Sequence, residues 1–211
     1  MGKSVIGSGL LYASTIKASA TAVIGGEVDS IHNLYAGEAF SSVTYRSVFG
    51  EPLLLSLIAL EDISALEHVT TAANKALKAL PEDSLAEDEE AVSGGLIRFL
   101  AQASHPATPP QDAPYLMYVR AELAPLENVG YGRDILYKMA SQNALGVADY
   151  TYESVDDSPT WNWFASFDSF AALEKIGDPL SKVKAKAGSN LVQSFAPLAD
   201  SISTIFLRKV A

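Results

Sequence analysis

Two stretches of the chain alternate apolar and polar positions in the same rhythm. Residues 41–69, SSVTYRSVFGEPLLLSLIALEDISALEHV, align with residues 148–176, ADYTYESVDDSPTWNWFASFDSFAALEKI, at an offset of 107 with no gap. Eight of the 29 positions are identical: Thr44/Thr151, Tyr45/Tyr152, Ser47/Ser154, Val48/Val155, Pro52/Pro159, Ala65/Ala172, Leu66/Leu173 and Glu67/Glu174. Period-two alternation followed by a helical period predicts strand, turn, strand, helix in each copy. A period this long, present twice, predicts a duplicated domain and not a solenoid.

The flanking patterns complete each copy. A first strand is expected over residues 10–20 and again over 115–123, both with Leu and Tyr, with helices over 27–36 and 131–143. Strands over 41–48 and 53–59 flank the turn Phe49-Gly50-Glu51-Pro52, and strands over 147–155 and 160–167 flank Asp156-Asp157-Ser158-Pro159. Glu61-Asp62 and Asp168-Ser169 place an acid where a second helix begins. The last strands are expected over 96–102 and 203–210. Each copy therefore reads βαββαβ, the split βαβ or ferredoxin-like order, with an antiparallel sheet and both helices on one face. The bare face of each sheet needs a cover, and two linked units can supply it to each other. The expected fold class is α+β: repeat 1 over residues 1–104, a stiff linker over 105–114 (HPATPPQDAP, four prolines) and repeat 2 over 115–211.

Composition narrows the function classes. Hydrophobic residues make up 48% of the 211 and charged residues 19%, enough apolar side chain for a sizeable core. Net charge is −10; residues 1–106 carry 6 bases and 13 acids, residues 107–211 carry 9 and 12. With both halves acidic and no basic stripe, a nucleic-acid partner is not expected. No cysteine is present, which excludes thiolate nucleophiles, disulfides and cysteine-held metals. That fits a cytoplasmic protein. Ala18-Ser19-Ala20 resembles a signal-peptidase site after the apolar residues 5–13, but Gly7, Ser8 and Gly9 interrupt that run and the repeat requires a strand there. No apolar run approaches the ~20 residues of a membrane span.

The element order, together with Phe167-Asp168-Ser169-Phe170 after the second hairpin and Leu60-Glu61-Asp62-Ile63 after the first, resembles the dimeric α+β barrel superfamily. That group includes antibiotic-biosynthesis monooxygenase-like proteins, polyketide cyclases and haem proteins of the chlorite-dismutase type. The resemblance covers nearly the whole chain and implies a fused dimeric barrel. It also implies a ligand pocket within a unit, between sheet and helices.

Three histidines are present, His32, His68 and His105, all in the first copy or at its edge. His68 falls on the polar side of its helical wheel, beside Lys75 and away from Leu66, Ala73 and Leu77. His32 borders the apolar face formed by Ile24, Ile31, Leu34 and Tyr35, where a near-neutral pKa suits a general base; the plainer reading is a boundary histidine bound to a carbonyl. His105 lies in the linker. The haem-binding relatives use a helix histidine in the second unit, where this chain has none, so no cofactor is expected. Nor does the spacing of the three histidines suggest a metal site.

Trp161 and Trp163 share a strand face with Phe167, a stripe that fills a core more often than it stacks a ligand. Tyr45, Tyr150 and Tyr152 share a face of their strands; their hydroxyls could serve a ligand or a backbone partner. Arg98 and Arg120 interrupt apolar strands, and the sequence leaves open whether either points inward. Dinucleotide, phosphate-loop and nucleophile-elbow motifs are absent. The reading that follows is a small-molecule site for a mostly apolar, aromatic compound. It carries His32 as base and Tyr45, Tyr152, Trp161, Trp163, Arg98 and Arg120 as binding residues. The chemistry would be cofactor-independent, of monooxygenase or cyclase type, in a monomer with an internal pseudo-dimer or in a homodimer. The rival is a non-catalytic binding or scaffold protein.

Overall fold

The computed structural model describes residues 4–19, 40–50, 52–78, 85, 91–107, 112–123, 130, 134, 137–138, 147–155, 160–174 and 199–210. Eight strands carry the architecture: β1 (Leu10–Lys17), β2 (Ser42–Ser47), β3 (Leu53–Ala59), β4 (Val92–Phe99), β5 (Tyr115–Leu123), β6 (Asp149–Ser154), β7 (Thr160–Phe167) and β8 (Ala199–Lys209). They close into an antiparallel barrel in the order β1-β3-β2-β8-β5-β7-β6-β4. The run β4-β1-β3-β2 from the first half of the chain is followed by β8-β5-β7-β6 from the second, the same order with every number raised by four.

Pairing within each half is long. β1 pairs with β3 over Leu11↔Ala59 to Lys17↔Leu53, and β5 with β7 over Tyr115↔Phe167 to Glu122↔Thr160. The two seams between halves are short. β2 meets β8 through three pairs, Tyr45↔Lys209, Arg46↔Arg208 and Ser47↔Leu207. β4 meets β6 through three more, Ile97↔Ser154, Arg98↔Glu153 and Phe99↔Tyr152.

Alternation along the strands sorts side chains into two populations. Inward residues form one core: Leu11, Val43, Tyr45, Leu55, Leu57, Ile97, Leu116, Tyr118, Tyr150, Tyr152, Phe164 and Leu207. Outward residues of the first half, among them Ile16, Leu54, Ile58 and Leu96, pack under α1 (Leu66–Lys78), whose Val69 and Ala73 are buried at helical spacing. β3 is buried on both faces for this reason. Asp62 accepts a hydrogen bond from the Ser64 N–H at 2.8 Å and opens the 3-10 turn Ile63–Ala65 that leads into α1. Outward residues of the second half, Met117, Ala165, Phe167 and Trp163, form a third cluster with Ala172 on α2 (Phe170–Glu174).

The predicted strands over 53–59, 115–123 and 160–167 match the observed bounds. β4 differs: it spans Val92–Phe99, and the chain then turns through a 3-10 segment, Ala101–Ala103, as the Leu100 N–H bonds to the Thr151 carbonyl at 2.8 Å. β8 begins at Ala199, four residues before the expected start. The helix predicted over 27–36 lies outside the described residues; of that predicted over 131–143, Asp134, Tyr137 and Lys138 are described and helical. No helix among the described residues is long and apolar enough to cross a membrane.

Candidate functional site

The two ends of the barrel interior differ. At one end the N-terminal segment plugs the opening. Val5 and Ile6 are buried in the inward core, and the Asp112 carboxylate accepts from the N–H groups of Val5 and Ile6, each at 3.0 Å, and from Ser4 Oγ at 2.9 Å. The Tyr152 hydroxyl accepts from the Gly7 N–H at 2.9 Å and donates to the Ser8 carbonyl at 3.2 Å. Around this plug Tyr45, Tyr150, Tyr152, Phe99 and Phe164 fill the interior, with Phe164 edge-on to Tyr152 at 5.7 Å.

At the other end lies a cavity of about 650 Å³. Its deeper wall is apolar: Ala13, Ile97, Tyr118 and Ile205; Leu53 also lines the cavity but stands beside Lys17 in register, nearer the mouth. Its mouth is polar, with Thr15, Lys17, Ser93, Arg120, Ser154, Thr160, Asn162 and Ser203. Strand register places these in tiers. Tyr118 stands beside Phe164 on β7 and Ile205 on β8; the next inward residue of β5, Arg120, stands beside Asn162 and Ser203. The polarity of the wall therefore rises one strand repeat at a time toward the mouth.

The Tyr118 hydroxyl donates to Asn162 Oδ1 at 2.7 Å, with both side chains buried, and its ring stacks on Phe164 at 5.0 Å. Burial pushes the Tyr118 hydroxyl up to about 12, against a smaller opposing pull from the Arg120 charge. It is a neutral hydrogen-bonding group at any physiological pH. Arg120 pairs with Glu122 at 3.0 Å, and the Glu122 carboxylate also accepts from Ser201 Oγ at 3.0 Å. Among the described residues the cavity lining contains no histidine, aspartate or glutamate, and no group of three metal-ligating side chains converges.

Of the described residues expected from sequence, Arg120 alone lines this cavity. Arg98 points out of the barrel, where its guanidinium is paired with Glu153. Tyr45 faces inward but lies fully buried, donating to the Ala113 carbonyl at 3.1 Å; burial, with Asp112 and Tyr150 nearby, raises its pKa far above the usual value. Tyr152 is likewise buried and raised by desolvation, its hydroxyl committed to the plug. Trp163 and Phe167 face outward, and Trp161, two residues from Trp163, shares that face; the inward positions of β7 belong to Asn162 and Phe164. His68 is exposed on α1, and His105 is exposed, its backbone bridging to Asp149. His32 lies outside the described residues.

The cavity lies inside the closed barrel, whereas the resemblance implied a pocket between sheet and helices. Lys17, Thr15, Ser93, Tyr118, Asn162 and Ser203 were not anticipated. Their signal is a run of polar residues in phase with apolar inward positions, as in Asn162 two before Phe164. Reading it requires knowing which face turns inward, and both faces are covered here. One further acid stands out. Asp149, on the outward face of β6, has its pKa raised to about 6 by burial, partly offset by hydrogen bonds from the His105 N–H and the Trp163 side chain.

No family model matches the chain, and no curated protein matches it. Solved structures do. An anthrone oxidase-like protein superposes with a TM-score of 0.72 at 12% identity, covering 99% of this chain and 94% of the other. A candidate monooxygenase from Fusobacterium nucleatum superposes at 0.65 with 11% identity, covering 97% and 94%. A second, from Lactobacillus acidophilus, does so at 0.60 with 7% identity, covering 96% and 94%. At these identities the likeness speaks for the fold. Eight antiparallel strands closed in this order, and superposition over nearly the full length of each partner, show that the chain shares the α+β barrel fold of these structures.

Proposed function

We propose that this protein holds a small, mostly apolar or aromatic molecule inside its barrel and belongs to the monooxygenase-like side of the fold. The observation that carries this reading is the cavity of about 650 Å³ with its graded wall. That size and mixture of apolar lining with a few placed polar groups is usual for small-molecule sites. The neighbours named as candidate monooxygenases and as anthrone oxidase-like support the direction. A cofactor-independent reaction, by proton abstraction from an activated substrate followed by oxygenation or cyclisation, would draw on Tyr118 and Asn162 as hydrogen-bonding groups near developing oxygen charge. His32 is the proposed base. Tyr45, Tyr152, Trp161, Trp163 and Arg98 keep only supporting parts in this proposal, outside the cavity.

The repeated strand order supports a duplicated chain, with unit boundaries near 104 and 115 and an internal pseudo-dimer that needs no second copy. A cytoplasmic location belongs to the same proposal.

A non-catalytic binding role is the second reading, favoured by the lack of any acid or imidazole among the described lining residues. Two variants separate the readings. Ala13→Phe projects a ring into the cavity; flat aromatic ligands that shift the melting temperature of the wild type should bind it at least tenfold more weakly, and unchanged binding removes the barrel interior as the site. Given a turned-over ligand, His32→Ala should abolish turnover with the fold intact. An unchanged rate removes His32 as base and leaves the binding role.

A further inference from the structure

Resting on the small-molecule reading above, we infer that the ligand is amphipathic and acidic: an apolar or aromatic body carrying a carboxylate, inserted body first, with the carboxylate at the mouth beside Arg120. Three observations point there. The first is direction. Along β5 the inward residues run Leu116, Tyr118, Arg120, from fully buried apolar to exposed cation, and β7 and β8 run in parallel from Phe164 to Asn162 and from Leu207 through Ile205 to Ser203. A ligand that matches this wall has one apolar end and one polar end, in that orientation.

The second is charge. The chain carries a net −10, yet the charged side chains among the described lining residues are both cations, Lys17 and Arg120. They stand on β1 and β5, four places apart in a closed order of eight, and so face each other across the mouth. Glu122 pairs with Arg120 at 3.0 Å, stands in register with Thr160 at the rim of the cavity and is itself held by Ser201. The Glu122 contact uses one edge of the guanidinium. Its planar fork has five N–H donors, so a second carboxylate can be bound from the cavity side.

The third is the surrounding polar set. Thr15, Ser93, Ser154, Thr160 and Ser203 place hydroxyls around the same opening, and Asn162 stands directly beside Arg120 in register. Hydroxyls and a side-chain amide can donate to carboxylate oxygens, and their contribution strengthens in a recess shielded from water.

The test uses the full-length protein and an isosteric pair, naphthalene-2-carboxylate and naphthalene-2-carboxamide, titrated by calorimetry at pH 7.5. The acid is expected to bind at least tenfold more tightly than the amide. Arg120→Gln should erase that preference by weakening the acid far more than the amide; Arg120→Lys should keep most of it. Circular dichroism melting of both variants reports their folding. Equal binding of acid and amide by the wild type overturns the carboxylate inference and leaves the barrel site standing. A preference that survives Arg120→Gln overturns the placement at the mouth. Binding of the pair unchanged by Ala13→Phe, or no binding of either, overturns this inference together with the reading it rests on.

Discussion

Asp149 shows how a single side chain carries a pH dependence. It is 5% exposed, and its carboxylate accepts from the His105 N–H at 3.1 Å, fastening residues 104–107 as a strap beside β6. Burial raises its pKa to about 6 from an ordinary 3.8. Below about pH 4 the group is protonated in folded and unfolded chains alike and carries no penalty. Between about pH 4 and 6 the unfolded chain loses the proton first, so the unfolded state gains relative stability as pH rises. Above pH 6 the cost levels off, at no more than about 3 kcal/mol. Asp149→Asn, which keeps an acceptor for His105, should therefore gain stability relative to wild type as pH rises from 4 to 7. Urea midpoints at pH 4, 5, 6 and 7 measure this, and parallel curves for the two proteins would contradict it. The sequence shows Asp149 only as the first polar residue of an alternating strand. Its burial arises from the strap and Trp163, which come from elsewhere in the chain. Tyr45 and Tyr152 teach the same lesson: their shared strand face was legible, but the backbone groups that take up their hydroxyls were not.

Elements were more legible than sites, because they depend on local pattern. The hairpin of β2 and β3, with Gly50 at a φ of +79° in its turn, follows from alternation broken by turn residues. So does α1, whose exposed His68 and Lys75 sit where the wheel puts them. β4 was misplaced because Ser93-Gly94-Gly95 has poor strand propensity. It pairs there nonetheless, since β1 lies alongside and the Tyr12 ring covers Gly94, where a Cβ would collide with the tyrosine hydroxyl. Gly94→Ala must displace that ring and should cost about 1–3 kcal/mol in a urea titration. The β2–β8 seam allows a prediction of opposite sign. Arg46 and Arg208 stand directly opposite, both exposed. Like charges in that position repel, so Arg46→Glu should stabilise the protein by about 0.5–1 kcal/mol at low salt. The gain should shrink in 1 M salt.

At the scale of the whole molecule, the cavity exists only because the barrel closes. Its walls come from β1, β3 and β4 in one half and from β5, β6, β7 and β8 in the other, so neither half holds the site alone. This is why the candidate site was far less legible than the fold. On β3 and β7 inward and outward faces are both buried, and closure makes the choice between them. The plug matters equally. Asp112→Ala removes the acceptor for three donors on residues 4–6 and should cost about 2–4 kcal/mol of stability. It should also raise protease sensitivity at the N-terminus, which limited proteolysis followed by mass spectrometry would report. An unaltered cleavage pattern would mean that Val5 and Ile6 hold the plug by burial alone.

The two three-pair seams bear on the order in which the chain assembles. Hairpins such as β2–β3 and β6–β7 join near neighbours in sequence and can form early. The β2–β8 seam joins residues 45–47 to residues 207–209, far apart in sequence, and must wait until β8 has been made. On a ribosome the first four strands would be exposed, with their inward leucines and Tyr45 uncovered, until β8 emerged. Such an interval favours capture by a chaperone or by the complementary half of another chain. Exchange of half-barrels between two copies would rebuild the same seams, making a swapped dimer the expected by-product of crowded refolding.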